Sequence, residues 1–249
     1  MFKRADKIEP KPQGGNLFPS IGEVPVYAIG DIHGRRDCLD QLLDNIEQDA
    51  GSNPYRLVFL GDYIDRGPDS WGVIERLVLL RRKKPSTIFL KGNHEQVLID
   101  FLAAPEETES WLDWGGLEAL KSYGVDNIRG KSLEQVRDEF ADLLPDDHFR
   151  FLLDLELSHQ RGDYIFVHAG LNPLQDIDQQ KEQDLLWIRD PFLQNESRRW
   201  GNKTIVHGHT PVEAAEDKGW RINVDSGAYA SGILTAVCLE GTSRRFITS

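Results

Sequence analysis

Short β-rich runs that end in a polar loop containing glycine recur along the chain, and they constrain the fold more than any other feature. The first three runs span residues 24–30, 55–61 and 86–92. They end in the loops GDIHG, GDYIDRG and GNHE, and two later runs end in VHAG and VHGHTP. Between the first two runs, apolar residues recur at helical spacing: Leu39, Leu42, Leu43 and Ile46. This order predicts a β-α-β unit.

A second helical segment and a later group of strands complete the predicted fold. The helix follows Asp69 or Ser70, either of which is a suitable N-cap, and it ends before Pro85. The first three strands are therefore predicted to be parallel. Strand-like runs resume at DYIFVHAG, TIVHGH, WRINVD and GILTAVCLE, and the close spacing of the last three predicts that they pair in a second sheet. The predicted fold class is an α/β two-sheet sandwich flanked by helices.

Length and local composition predict one domain with an arm and a cap. A chain of 249 residues lies near the upper size of one hydrophobic core, so residues 24–249 are predicted to form a single domain. Residues 1–23 are rich in proline and glycine and poor in apolar residues, which predicts a flexible N-terminal arm. Residues 96–157 change to helical segments around the motif WLDWGG, and they predict a helical cap.

Charge and cysteine content limit the classes of partner. The 29 Lys and Arg against 41 Asp and Glu give a net charge of −12, which argues against nucleic-acid and acidic-membrane partners. No apolar run approaches the roughly 20 residues of a membrane helix, and the start MFKRADKIEP lacks a secretory signal. The chain has two cysteines, Cys38 and Cys238, which are too few for a disulfide framework, and we expect them to be buried thiols in a reducing compartment. We therefore expect a cytoplasmic protein.

The loops at the strand ends contain the candidate metal ligands. The ligand crevice of an open α/β sheet lies beyond the carboxyl ends of its strands, so the loops are expected to converge. Their oxygen and nitrogen donors are Asp31, His33, Asp62, Asn93, His168 and His209. This donor set, without cysteine, fits two divalent ions such as manganese, iron or zinc. Asp62, between the other ligand loops, is expected to bridge two ions about 3.5–4 Å apart.

Each of these motifs alone could be an ordinary turn at the end of a strand. The hypothesis of a metal site rests on their joint occurrence. A single D-x-H after a strand is more often a capped turn than a metal site. All five motifs in one chain, each at a strand end, favour the metal centre. His207 is expected in the core or behind the ligands, and His148 and His159, in or beside the cap, are expected at the surface.

The motifs together resemble the phosphoprotein phosphatase family of serine/threonine phosphatases, within the metallophosphoesterases. The similarity rests on GDIHG, GDYIDRG, GNHE, HAG and GHT and covers about residues 24–230. The bacterial and phage branch is the most similar, and it includes a related enzyme that splits diadenosine tetraphosphate symmetrically. The resemblance implies a metallophosphoesterase sandwich with a helical cap, the same six metal ligands, and Mn²⁺ as the expected ion.

The resemblance also implies roles for residues that do not bind metal. His94 is the implied general acid and Asp65 its partner, because a carboxylate bonded to imidazole stabilises the protonated ring. Arg66 is expected to bind phosphate oxygens. The second phosphate-binding arginine is expected to be Arg189 in the W-x-R of LLWIRDP, with Arg198 and Arg199 as alternatives. Asp225 and Ser226, in the turn INVDSGA, are expected to brace the site.

The predicted reaction is hydrolysis of a phosphomonoester by direct attack of metal-activated water. The expected substrate is a protein or peptide carrying phosphoserine or phosphothreonine, with phosphotyrosine as a further substrate. A diadenosine polyphosphate hydrolase would use the same metals and is the main alternative. A non-catalytic phospho-ligand binding module is opposed by the complete motif set, and a nuclease by Pro211, which stands where a second histidine would follow His209. Nothing in the sequence indicates an oligomeric state.

Overall fold

Two five-stranded sheets pack face to face in the computed structural model of the chain, which describes residues 19–195 and 200–249. Residues 1–18 of the predicted arm, and Arg198 and Arg199, lie outside the described residues. The predicted α/β sandwich is confirmed. The limits predicted for the arm, the domain and the cap stay predictions.

The first sheet has the strand order β10-β9-β1-β2-β3. Its strands are β1 (Val26–Ile29), β2 (Arg56–Phe59), β3 (Ile88–Phe89), β9 (Thr235–Glu240) and β10 (Ser243–Thr248). The first three are parallel as predicted, and β9 pairs antiparallel with both β1 and β10. The prediction that GILTAVCLE joins the second sheet is wrong. Val237 packs against the second sheet and Cys238 against the helices, so β9 is buried on both faces inside the first sheet.

The second sheet has the strand order β4-β5-β6-β8-β7. Its strands are β4 (Ser158–Arg161), β5 (Tyr164–Val167), β6 (Thr204–His207), β7 (Glu216–Asp217) and β8 (Arg221–Asn223). The parallel strands β5, β6 and β8 form its centre. Apolar side chains from both sheets share one core between them, where Val58 and Leu60 meet Phe166 and Val206. The two sheets are therefore held together by a buried layer of apolar side chains.

Helices cover the outer faces of the two sheets. They are α1 (Arg36–Ala50), α2 (Ser70–Lys83), α3 (Asn93–Ala103), α4 (Gly116–Ser122), α5 (Leu133–Leu143), α6 (Asp146–Leu153), α7 (Glu182–Trp187), α8 (Asp190–Leu193) and α9 (Ala228–Ser231). All four apolar residues that predicted α1 are buried. Asp69 is the N-cap of α2, and its Oδ1 accepts a hydrogen bond from the Gly72 N–H at 2.8 Å. None of the described helices has the length and apolarity of a membrane span.

The helices α4 to α6 pack beside α2 and α3 and enclose a polar contact that the sequence did not predict. His148 on α6 is fully buried, so its predicted surface position is wrong. Its Nδ1 lies 2.9 Å from the Tyr123 hydroxyl, and its Nε2 lies 3.0 Å from Glu75 Oε2 on α2. Both polar atoms of the ring therefore have partners, which makes its burial tolerable. His159 on β4 is partly exposed.

Candidate metal centre

The loops that follow β1, β2, β3, β5 and β6 meet at one edge of the sandwich. Backbone hydrogen bonds join them in pairs, from the His33 N–H to the Asp62 carbonyl at 2.9 Å and from the Gly208 N–H to the His168 carbonyl at 2.8 Å. All six predicted metal ligands are buried. The structure therefore brings the six residues to one place, as their positions at strand ends suggested.

The backbone at this edge is unusual. Among the described residues, the non-glycine residues with positive φ are His33, Asp62, Asp65, Arg66 and His209, with φ from 46° to 72°. The left-handed conformation costs a non-glycine residue about 1–2 kcal/mol. All five belong to the predicted site, so the strain is concentrated where function is expected.

One group of candidate ligands surrounds one oxygen of Asp62. Asp62 Oδ2 lies 3.5 Å from His33 Nε2 and 3.9 Å from His94 Nε2. The ligand atoms of these three residues lie within 4.8 Å of one another. His33 Nδ1 donates to the Ile64 carbonyl at 2.8 Å, which leaves the Nε2 lone pair free. Asp31 is not one of the three, but its buried Oδ1 has no hydrogen-bond partner.

A second group surrounds the other oxygen of Asp62. His168 Nε2 lies 3.4 Å from Asp62 Oδ1, and these two residues and His209 offer ligand atoms within 4.8 Å of one another. Asn93 Oδ1, at the start of α3, lies 2.9 Å from both His168 Nε2 and His209 Nδ1. Asp62 thus contributes one oxygen to each group, which is the position predicted for a bridging ligand.

The donor atoms fit divalent cations. His168 Nδ1 donates to the Leu60 carbonyl at 2.9 Å, so Nε2 of the neutral ring directs its lone pair toward the oxygen of Asn93. Two ligand atoms at a right angle, each about 2.1 Å from an ion, lie about 3 Å apart, close to the 2.9 Å between these atoms. Asp31 Oδ1 and His209 Nε2 are also buried without a partner. A cation would satisfy these atoms.

Burial sets the charge state of the ligands. It lowers the pKa of His33 to about 3, and it also lowers the pKa of His168. Both rings are then neutral, the form that binds metal. Burial and the nearby Asp225 and Asp62 carboxylates raise the pKa of Asp31. Burial opposes ionisation of Asp62, but the surrounding histidines outweigh it and lower its pKa. The raised pKa of Asp31 thus reflects neighbouring buried carboxylates, whose mutual repulsion a cation would relieve.

His94, the third residue of the first group, forms a buried pair with Asp65 through its other ring nitrogen. His94 Nδ1 lies 2.5 Å from Asp65 Oδ2, which also accepts a hydrogen bond from Trp111 Nε1 at 2.9 Å. Burial lowers the pKa of His94, but the Asp62 and Asp65 carboxylates outweigh it, and the net pKa is raised. The two carboxylates thus favour the protonated ring, which is the form that a general acid requires.

The two predicted phosphate-binding arginines lie on different sides of the ligand groups. Arg66 Nη2 lies 3.1 Å from His94 Nε2. Arg189 is exposed, and its Nη1 lies 3.4 Å from Thr210 Oγ1, next to His209. The arginines thus flank the candidate metal centre. The alternatives Arg198 and Arg199 lie outside the described residues.

Three further predicted residues lie behind the ligands. His207 is fully buried with its ring edge-on to Phe192 at 5.1 Å, and it is in neither ligand group. Asp225 Oδ1 accepts a hydrogen bond from the Gly227 N–H at 2.9 Å, and burial raises the pKa of Asp225 to about 6. Ser226 Oγ bonds to the Ile233 carbonyl at 2.7 Å. Asp225 and Ser226 therefore hold the turn after β8.

The structure adds three residues that the sequence reasoning missed: Glu95, Trp111 and Tyr229. Glu95 is fully buried and binds backbone N–H groups of the loop that carries Asp62. The sequence could have indicated this role, because Glu95 stands three residues after Gly92, which is the position of the glutamate in a capping box. Trp111 binds Asp65, and a buried indole needs an acceptor. Tyr229, on α9, contacts His33 and Arg66, and nothing in the sequence marked it.

Comparison with known families and proteins gives a consistent result. The calcineurin-like phosphoesterase family matches residues 24–233. The chain is 30% identical over 220 residues to serine/threonine-protein phosphatase 1 of Salmonella typhimurium, covering 86% of this chain and 92% of the relative. It is 29% identical over 229 residues to the asymmetrical bis(5'-nucleosyl)-tetraphosphatase PrpE of Anoxybacillus flavithermus, covering 84% and 88% of the two chains.

Solved structures share the fold at lower identity. A candidate diadenosine tetraphosphatase superposes with a TM-score of 0.61 at 22% identity, covering 94% of this chain and 95% of the other. The cold-active protein-tyrosine phosphatase of a Shewanella species superposes with a TM-score of 0.55 at 17% identity, covering 90% and 80%. At this level of identity the structures support the fold alone.

Proposed function

Because the chain belongs to the calcineurin-like phosphoesterase family, we propose that it is a dinuclear-metal-dependent phosphatase acting on phosphoserine and phosphothreonine in proteins or peptides. The observation that carries the proposal is the buried His94–Asp65 pair. His94 Nε2 lies 3.9 Å from Oδ2 of Asp62, the ligand that the two groups share. An acid beside two cation-binding groups is the arrangement that phosphoester hydrolysis needs.

Six residues would hold the two ions, with Asp62 shared: Asp31, His33, Asp62, Asn93, His168 and His209. When bound, two divalent cations would offset charge on the phosphate oxygens and acidify the water that attacks phosphorus. Mn²⁺ is our proposed ion, with iron or zinc as the other ions that suit this donor set. The buried, neutral histidines are ready to bind without losing a proton.

The protein's own residues bind the substrate and move one proton. Arg66 and Arg189 bind phosphate oxygens from the two sides of the centre. The water oxygen forms a bond to phosphorus as the ester P–O bond breaks. His94 then donates its Nε2 proton to the serine or threonine oxygen that leaves, while Asp65 keeps its hydrogen bond to Nδ1 and Trp111 holds Asp65 in place.

Two observations support a phosphoprotein over a dinucleotide substrate. The relative with 30% identity is named as a serine/threonine phosphatase. The proposed phosphate-binding cations of the described site are Arg66 and Arg189, which match one phosphate group better than a tetraphosphate chain of about four charges. The relative named PrpE favours the alternative, a diadenosine polyphosphate hydrolase. A cytoplasmic location and the lack of nucleic-acid and membrane partners stay predictions from composition.

A substrate panel tests the proposal. Protein supplied with Mn²⁺ would be assayed on phosphoserine, phosphothreonine and phosphotyrosine peptides and on diadenosine tetraphosphate. We expect the first two peptides to be hydrolysed with the highest kcat/KM. A preference of tenfold or more for the dinucleotide would establish the alternative, and no turnover of any substrate would indicate a binding module.

The His94→Asn variant tests the proposed acid. It should lower kcat about 10²- to 10⁴-fold, the usual contribution of general acid catalysis, while the bound metal stays near two ions per chain. The matched variant His209→Ala should lose metal, because His209 is one of the six proposed ligands, whereas His94, although it lies near Asp62, is proposed as the acid. Equal metal loss in both variants would refute the assignment of His94.

A further inference from the structure

Tyr229 is on α9, and its aromatic ring lies beside the candidate metal centre. The side chain is 38% exposed, although its ring contacts two residues of the site. Arg66 Cζ lies 4.7 Å from the ring centroid, above the face of the ring. The His33 ring meets it nearly perpendicularly, with 5.4 Å between centroids. Tyr229, which lies in a third part of the chain, therefore contacts both Arg66, the proposed phosphate-binding arginine, and His33, a candidate metal ligand.

Arg66 needs external support to keep one position. An arginine side chain has about 2 kcal/mol of rotamer entropy to lose when it is fixed. Among the described residues, its guanidinium also donates a hydrogen bond from Nε to the Trp114 carbonyl at a long 3.4 Å, and its Nη2 approaches His94. A Cβ on Gly115 would overlap the backbone and the Cγ of Arg66, so Gly115 packs against the base of this side chain and does not reach its guanidinium. The ring of Tyr229 faces the guanidinium itself.

We propose that Tyr229 is a positioning residue that holds the guanidinium of Arg66 toward the phosphate position by a cation–π contact. This inference rests on the proposed function, because it assigns Tyr229 a part in phosphate binding. The ring makes both contacts, so the aromatic face is the functional feature and the hydroxyl is dispensable.

Binding of inorganic phosphate to the Mn²⁺-loaded protein measures this role directly. Tyr229→Leu should weaken phosphate binding about three- to tenfold by calorimetry, the range of a partly exposed cation–π contact. Tyr229→Phe keeps the ring and should bind within twofold of the wild type. Phe246→Leu removes an aromatic residue of similar exposure (41%) on the edge strand β10 and serves as the matched control.

A double-mutant cycle with Arg66→Ala shows whether Tyr229 acts through Arg66. In that background Tyr229→Leu should have no further effect on phosphate binding. An additive effect, no effect in either background, or loss of bound Mn²⁺ in Tyr229→Leu would overturn the inference. In the last case the contact with His33 would be the important one.

The same variants separate this inference from the proposed function. With a phosphopeptide, Tyr229→Leu should raise KM in parallel with the loss of phosphate affinity, and Tyr229→Phe should restore it. A wild-type protein without turnover would refute the proposed function, while the phosphate-binding cycle would still test Tyr229. An active wild type with an unchanged Tyr229→Leu would refute the role of Tyr229 alone.

Discussion

Glu95 fixes the loop that carries the shared ligand Asp62. Its two carboxylate oxygens accept hydrogen bonds from the backbone N–H groups of Asp62, Tyr63 and Gly92 at 2.7–2.9 Å. These bonds help to hold Asp62 in its left-handed conformation, with φ 52°. Burial and the Asp62 charge raise the pKa of Glu95 to about 7, against the opposing effect of the backbone donors. One buried carboxylate thus shapes the two loops that provide Asp62 and Asn93.

Replacement of Glu95 by glutamine should loosen this loop. The amide nitrogen would face a backbone N–H group, so one buried donor would lose its acceptor. We expect the free energy of unfolding to fall by about 1–3 kcal/mol in urea titrations and the affinity for Mn²⁺ to fall with it. Glu106→Gln, at an exposed position in the cap region, is the control. Unchanged stability and metal affinity in Glu95→Gln would contradict this role.

Trp111, in the segment between α3 and α4, positions Asp65 through a hydrogen bond. Trp111→Phe keeps most of the buried ring but removes the N–H that donates to Asp65 Oδ2. We expect kcat to fall about threefold to tenfold, because the net contribution of one hydrogen bond is about 0.5–1.5 kcal/mol. Trp71→Phe, at a residue 40% exposed, should leave kcat unchanged. Equal rates for the two variants would show that Asp65 needs no second donor.

At the level of elements, the start of α2 supports both helix and site. Asp69 caps the helix, and the hydroxyl of the next residue, Ser70, accepts a hydrogen bond from the Asp65 N–H at 3.0 Å. The turn before α2 therefore positions the partner of His94. This link follows from the chain order D-R-G-P-D-S, which puts the catalytic loop and the helix cap within one turn of each other.

Loss of the cap should weaken α2. Asp69→Ala removes the acceptor of the Gly72 N–H and should lower the free energy of unfolding by about 0.5–2 kcal/mol in denaturant titrations. Asp69→Asn retains a good capping side chain and should lie within a few tenths of a kcal/mol of the wild type. If the two substitutions have equal effects, the cap does not stabilise the helix.

The elements that the sequence predicted correctly are those with local signals. The parallel strands β1 to β3 and the helices between them follow from periodicity and capping, and the ligand loops from their places at strand ends. The sheet of β9 was not predictable from spacing, because its partner β1 lies about 200 residues earlier. The burial of His148 depends on Tyr123 and Glu75, which only the tertiary fold brings to it.

At the scale of the whole molecule, the two cysteines report on global unfolding. Burial raises the pKa of the Cys238 thiol to about 11 and also raises that of Cys38. The unfolded thiols lose their protons from about pH 8.5, before the folded ones do. The contribution of the thiols to stability is therefore present below about pH 8.5 and is lost as the pH rises toward 11.

Thiol reactivity should follow this difference. At pH 8 we expect iodoacetamide to label the native protein at least tenfold more slowly than the protein in urea, because the thiolate is the reactive form. The melting temperature should fall between pH 9 and pH 10.5 more in the wild type than in a Cys238→Ala variant. Similar labelling rates in native and unfolded protein would show that the thiols are accessible.

Both sheets contribute to the centre, and this has a consequence for synthesis of the chain. Asp62 and Asn93 follow strands of the first sheet, whereas His168 and His209 follow strands of the second. A growing polypeptide therefore exposes its early carboxylates well before the last imidazole emerges. The strand that pairs with β1 on its other side in the first sheet, β9 (Thr235–Glu240), is also made late. We therefore expect cation binding by the full set of candidate ligands, and the proposed activity with it, only once the chain is almost complete.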